Sequence, residues 1–225
     1  MVKEKKVRLY KGSSVPWFYR IFQAIFWLCA KIYLRVQFHD NNALPKSGGC
    51  LVVSNHASNL DPALVGIPLR RICHFLAKRE LFEMPIVGIW MRLVGAIPIQ
   101  RDRVDRKAMM ACTNMLKQGR MIVVFPEGTR TRDGELQKGK AGAAMIAAMA
   151  KTTLVPAYID GSYQAWPRGA RFPRPHKVHV WYGNPFHLPD REENQNTKDY
   201  YQHCADVMME KIAELEAKSK ASKQS

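Results

Sequence analysis

No stretch of this 225-residue chain is apolar for long enough to cross a bilayer. In its most hydrophobic run only ten uncharged residues separate Arg20 from Lys31, about 15 Å of helix against a hydrocarbon core of about 30 Å. A simple transmembrane span is excluded there. The run is also no signal peptide, because no small-x-small cleavage site follows it and Lys31 and Arg35 come directly after. The five cysteines (Cys29, Cys50, Cys73, Cys112, Cys204) form no Cys-x-x-Cys pair, which removes a zinc knuckle and a disulfide framework and fits a reducing compartment. Metal-ligand spacing is equally absent among His39, His74, His176, His179, His187 and His203, so no catalytic metal is predicted. There is no G-x-S-x-G nucleophile elbow. Acidic residues are scarce: 19 Asp and Glu against 35 Lys and Arg leave a net charge of +16.

Such a charge calls for an anionic partner, whether acidic lipid, a phosphorylated substrate or nucleic acid. The basic residues are spread over several segments without a zinc finger, helix-turn-helix or RNP signature, so a specific nucleic-acid site is not expected. Apolar residues make up 47% of the chain and charged residues 24%, an ordinary globular balance for a single domain of this length.

After a basic arm over residues 1–14, Ser14 and Pro16 start a helix running to about Arg35. At about 100° per residue, Arg20, Lys31 and Arg35 form a narrow stripe with Gln23 beside it. The rest of the surface is apolar, from Trp17 to Leu28. Strand-like and helix-like segments then alternate: strands at 50–55, 73–77, 96–101, 121–126, 153–159 and 177–183, with helices after Asp61, over 105–118, near 139–151 and over 196–218. This order predicts an α/β fold, a mostly parallel or mixed central sheet flanked by helices. Functional residues in such sheets gather where strands end.

Three segments carry polar groups directly after an apolar strand. In Asn55-His56-Ala-Ser-Asn-Leu-Asp61, an imidazole could take a proton from a hydroxyl while a carboxylate on its other nitrogen holds the tautomer. Five residues of separation allow contact if the loop doubles back. Asp61 before Pro62 also reads as a helix N-cap. In Phe-Pro-Glu127-Gly128-Thr129-Arg130, with Lys138 and Lys140 downstream, glycine lets backbone approach an anion and arginine grips phosphate with two N–H groups. The competing reading is a charged turn in which Glu127 pairs with Arg130. In Gly95-Ala-Ile-Pro-Ile-Gln-Arg101, an arginine ends a strand.

Together with Leu-Val-Pro156-Ala-Tyr-Ile-Asp-Gly, these blocks resemble, in order, those of the glycerolipid acyltransferase family, and specifically its 1-acylglycerol-3-phosphate acyltransferases. The resemblance covers roughly residues 48–190. It implies that His56 is the general base and Asp61 its partner. It further implies that Arg101, Glu127, Gly128, Thr129 and Arg130 bind the glycerol phosphate, with Lys78 a further candidate, and that Pro156 shapes the site. The implied reaction is attack by the hydroxyl of lysophosphatidic acid on an acyl thioester, either acyl-CoA or acyl carrier protein, giving phosphatidic acid without a cofactor or covalent acyl-enzyme. Glycerol 3-phosphate or another lysophospholipid is the alternative acceptor. A non-catalytic basic module that binds membrane or nucleic acid is the alternative of another class.

The expected organisation is a basic arm and interfacial amphipathic helix over 1–40, an acyltransferase α/β domain over 41–218 and a flexible tail over 219–225. The arm and helix are predicted to meet acidic phospholipid. That places the protein, peripheral or monotopic, on the cytoplasmic face of a membrane.

Overall fold

The computed structural model describes residues 17–68, 71–100 and 105–224. Arg101, the basic arm, Ser14 and Pro16 lie outside them.

Seven strands form one sheet: β1 (Gln37–His39), β2 (Cys50–Ser54), β3 (Cys73–Lys78), β4 (Ile97–Ile99), β5 (Met121–Val124), β6 (Thr153–Asp160) and β7 (His179–Tyr182). Their spatial order is β1-β7-β6-β2-β5-β3-β4. Neighbours run parallel except β6 and β7, which pair antiparallel. The sheet is therefore mixed and mostly parallel, within the expected mostly parallel or mixed arrangement.

Period-two alternation sends the side chains of β2 to two cores. Leu51 and Val53 join Ile122, Val124 and Leu154 beneath α4 (Arg106–Lys117), α5 (Ala141–Ala150) and α7 (Thr197–Ser222). Cys50 and Val52 join Met121, Val123 and Val155 beneath α1 (Trp17–Tyr33) and α2 (Asp61–Gly66). Covered on both sides, β2 and β5 can consist almost wholly of Val, Ile, Leu, Met and Cys.

Several elements differ from the sequence expectations. Residues 85–93 fold as α3 (Pro85–Leu93), a helix absent from the elements expected between the strands at 73–77 and 96–101. Segment 37–39 joins the sheet as β1 beside β7 instead of belonging to a separate arm. The last helix continues past 218 to Ser222; Ser219 is buried and donates to Asp160, and Lys223 pairs with the same carboxylate at 2.6 Å. Gln23 does not share the solvent stripe of Arg20 and Lys31: its amide donates to the carbonyls of Gly66 and Ile67, fastening α1 to the end of α2. An amide at a polar position was satisfied by backbone ends that periodicity cannot see.

Candidate active site

β2 ends at Ser54, but Asn55 is still held as if it belonged to the sheet. Its side-chain carbonyl accepts from the amide of Ile159 at 2.8 Å, and its NH2 donates to the Ile159 carbonyl at 3.0 Å. The backbone is then free to turn. The loop doubles back so that the buried carboxylate of Asp61, at the first turn of α2, meets His56: Nδ1 and Oδ2 are 2.9 Å apart. The same Oδ2 accepts from the backbone N–H groups of Ala57 and Ser58, both at 2.7 Å. Asp61 thus closes the loop that precedes it and does not cap its own helix, whose N-cap position is Leu60. Because a carboxylate only accepts, Nδ1 carries the imidazole proton and Nε2 offers a lone pair. Phe125 stacks on the ring with centroids 4.0 Å apart, which fixes its plane.

The loop after β5 lies against this one. Thr131 N–H donates to the His56 carbonyl at 2.8 Å, and the Glu127 carboxyl accepts from His56 N–H at 3.2 Å. Glu127 is only 2% exposed, and burial pushes its carboxyl up to about 8, helped by the nearby charges of Asp61 and Asp133. It is packed under the His56 backbone, and the competing charged-turn reading, in which it pairs with Arg130, does not describe it. Gly128 has φ +73°, and a Cβ there would come 3.1 Å from Lys140 Cδ and 3.3 Å from its Nζ. Glycine leaves room for that amine beside the loop.

Arg130 is half-buried, and its guanidinium is held below its usual range by desolvation and then by the like charge of Arg168. Arg168 is near enough for its charge to be felt at Arg130, which adds positive potential on this side of the loops. A cavity of about 350 Å³ opens beside His56, lined also by Phe125, Gly128, Lys140, Met109 and Met145. The start of α5 contributes Ala141 and Gly142 to it, and no side chain caps that helix end, so its first N–H groups favour an anion nearby.

His56, Asp61, Glu127, Gly128, Thr129 and Arg130 are thus brought together on two adjoining loops. Lys78 is exposed at the end of β3 and lines neither this cavity nor the apolar one beside α2. Arg101 is outside the described residues, although Gln100 and Asp105 on either side are tied by a 3.1 Å bond. Pro156 sits within β6, against Gly183. Gly95 of the second block has φ +74°, and a Cβ would fall 2.7 Å from the ring of buried His74, which bonds the Gly95 carbonyl; the turn it makes is structural. Lys140 was legible as a basic residue downstream of the Glu127–Arg130 block, whereas Arg168 had no sequence signal beyond general basicity. The buried thiols are poor nucleophiles, Cys50 and Cys112 being pushed up to about 12 by burial.

A strand-end His–Asp pair, backed by a glycine-bearing loop with Arg130 on an α/β sheet, is an arrangement that suits the class of hydroxyl-activating transferases and hydrolases. Within that class the family model described as Acyltransferase matches residues 35–160, more than half of the chain, and the chain belongs to the acyltransferase family. A 1-acyl-sn-glycerol-3-phosphate acyltransferase of Bacillus subtilis is 28% identical over 184 residues, 81% of this chain and 89% of that protein. A chloroplast 1-acyl-sn-glycerol-3-phosphate acyltransferase of Arabidopsis thaliana is 33% identical over 154 residues, 66% of this chain and 43% of that protein. The crystal structure of a 1-acyl-sn-glycerophosphate acyltransferase from Thermotoga maritima is similar with a TM-score of 0.68 and 25% identity, covering 88% of this chain and 80% of that one.

Proposed function

We propose that this chain moves a fatty acyl group from an acyl thioester, acyl-CoA or acyl carrier protein, to the free hydroxyl of 1-acylglycerol 3-phosphate, giving phosphatidic acid. The observation that carries this is the 2.9 Å bond between His56 and Asp61, with the opposite ring nitrogen left to act beside a largely apolar cavity that Lys140 also lines. His56 Nε2 takes the hydroxyl proton as the oxygen attacks the thioester carbonyl. Asp61 stabilises the imidazolium, and the thiolate leaves with a proton returned through His56. Arg130 holds the acceptor phosphate together with Lys140, Gly128, Thr129 and Arg101, and Arg168 adds positive charge. Glu127 acts as a positioning residue, propping the backbone of His56. No cofactor enters these steps.

In this reading residues 1–40 carry the chain to acidic phospholipid and residues 41–218 hold the chemistry. Among the described residues no helix is long and apolar enough to cross a membrane. One side of α1 packs on the core through Tyr19, Phe26 and Ala30, while Trp17, Ile21, Ile25, Leu28 and Ile32 are exposed together on the other. That exposed side supports a peripheral or monotopic seat on the cytoplasmic leaflet. Incubating purified protein with labelled acyl-CoA or acyl carrier protein and a panel of acceptors, then identifying the lipid, tests the assignment. Phosphatidic acid made preferentially from lysophosphatidic acid is expected. Preference for glycerol 3-phosphate or a phosphate-free lysolipid would reassign the acceptor.

A further inference from the structure

The outer face of α3 is built the wrong way round for water. Gly88 lies against the preceding 3-10 turn, Arg79–Phe82: a Cβ on it would meet the Phe82 carbonyl at 2.3 Å, and Arg92 donates to that same carbonyl at 2.8 Å. The helix is held there by its backbone. Its inner side gives Met91 to an apolar cavity of about 240 Å³, with Val94 just past its end. At about 100° per residue, Pro85, Ile86, Ile89 and Leu93 then fall within one outward sector of about 100° that contains no charge. Ile86 is 83% exposed and Ile89 60%, with Met84 exposed just before them. A solvated helix carries polar residues in such a sector, and contiguous apolar surface marks an interaction site.

The same cavity is lined on its other side by Tyr19, Phe22 and Phe26 of α1, so the exposed faces of α1 and α3 belong to neighbouring helices. Glu80 and Glu83 offset Lys78 and Arg79 next to α3. The attraction to acidic headgroups comes from the α1 side, where Arg20 and Lys31 border the apolar face. The loop bearing Arg168, Arg171 and Arg174 is tied to α1 by the bond from the Tyr33 hydroxyl to Pro173. Phe172, exposed between those arginines, adds another apolar group among cations. Apolar side chains surrounded by basic ones match a lipid leaflet with acidic headgroups.

We propose that α3 is a second membrane-inserting element, placing Ile86 and Ile89 in the acyl region of an anionic leaflet beside α1. The proposal rests on the lipid-acceptor reading above. It means that the catalytic domain itself, and not only its amino-terminal helix, enters the bilayer surface.

The test uses the full chain with Cys29→Ser and Ile89→Cys, labelled with a polarity-sensitive dye; the other four cysteines are buried. On adding vesicles of mixed phosphatidylcholine and phosphatidylglycerol, the dye emission should shift to the blue. Separately, Ile86→Gln with Ile89→Gln should weaken vesicle partitioning by about tenfold or more while turnover of a short-chain, monomeric acceptor is kept. A dye that stays in water while the protein sediments with vesicles overturns the proposal and leaves the acyl-transfer reading standing. Failure to sediment at all overturns both membrane contacts. A lipid-free dimer that the glutamine substitutions convert to monomer assigns the face to a second copy and also overturns it.

Discussion

The loop around His56 and the pair of helices α1 and α3 are built on opposite plans. In the loop, polar groups are withdrawn from water and turned on one another: Asp61 is 0% exposed and gathers three donors on one oxygen, and Glu127 is packed beneath the backbone it supports. Along the helices, Trp17, Ile25, Ile86 and Ile89 are turned outward, Trp17 being 74% exposed. Each arrangement costs folding free energy relative to the ordinary one. Sites that depart from local preference while the rest of the chain obeys it are where function is concentrated. On the proposed reading the departures have opposite signs because the tasks differ. Proton transfer needs fixed dipoles in a low dielectric, and a lipid contact needs a face that water does not satisfy.

The widest separation between the two regions is expected from His56→Ala. Turnover should fall by about 10² to 10⁴-fold with Tm and vesicle binding nearly unchanged, because Asp61 keeps its bonds to the Ala57 and Ser58 amides. Measurable loss of vesicle binding would mean that the regions are not independent. Asp61→Asn should lower turnover too, and in addition cost about 1.5 to 3 kcal/mol in a denaturant titration, since neutralised oxygens hold amides less tightly.

On the other side, Trp17→Gln with Ile25→Gln should weaken vesicle partitioning by about tenfold or more and spare turnover of soluble short-chain acceptors. Phe22 is unsuitable for this purpose because it packs into the core beside Val94 and Phe82. Equal loss of soluble turnover would show that α1 supports the active site and not only its approach to lipid.

Arg130→Ala and Arg168→Ala should each raise KM for a phosphate-bearing acceptor by roughly tenfold, the size of one charge-assisted hydrogen bond. Arg130→Lys should recover part of it, lacking the planar fork. Identical losses toward a phosphate-free analogue would remove phosphate from the account.

A further effect concerns pH. Glu127 is raised from 4.5 to about 8, so between those values the folded chain binds a proton that the unfolded chain has released. Its contribution is fully favourable below the unfolded value and is lost as pH rises through the window. Glu127→Gln removes the titration, so its Tm relative to wild type should climb from acid toward pH 8. A difference independent of pH would show that Glu127 is ionised throughout.

The His56–Asp61 pair was legible because it depends on few things: an apolar strand, a short loop and two residue types. The α/β alternation was legible for the same reason. The antiparallel pairing of β6 with β7 was not, since direction is set by the connection through residues 161–178 and not by the strands. α3 escaped because a nine-residue, mostly apolar segment is too short for its pattern to separate a helix from a buried strand, and the informative feature was an exposed face that only the fold reveals. Glu127 looked like a surface charge in a turn; its burial comes from the His56 loop folding over it. The Asp61 cap reading failed because the preceding loop, not the following helix, supplied the nearer donors.

Asn55 has a consequence for how the site can drift. Its amide and the Asp61 carboxylate pin the two ends of the loop, one to β6 and one to the loop's own backbone. Between them Asn59 is exposed and Leu60 half-buried, so spelling there is loosely constrained while the number of letters is not. An inserted residue would have nowhere to go except into the distance between His56 and Asp61. The segment therefore behaves as a ruler whose markings can be repainted but whose length is fixed.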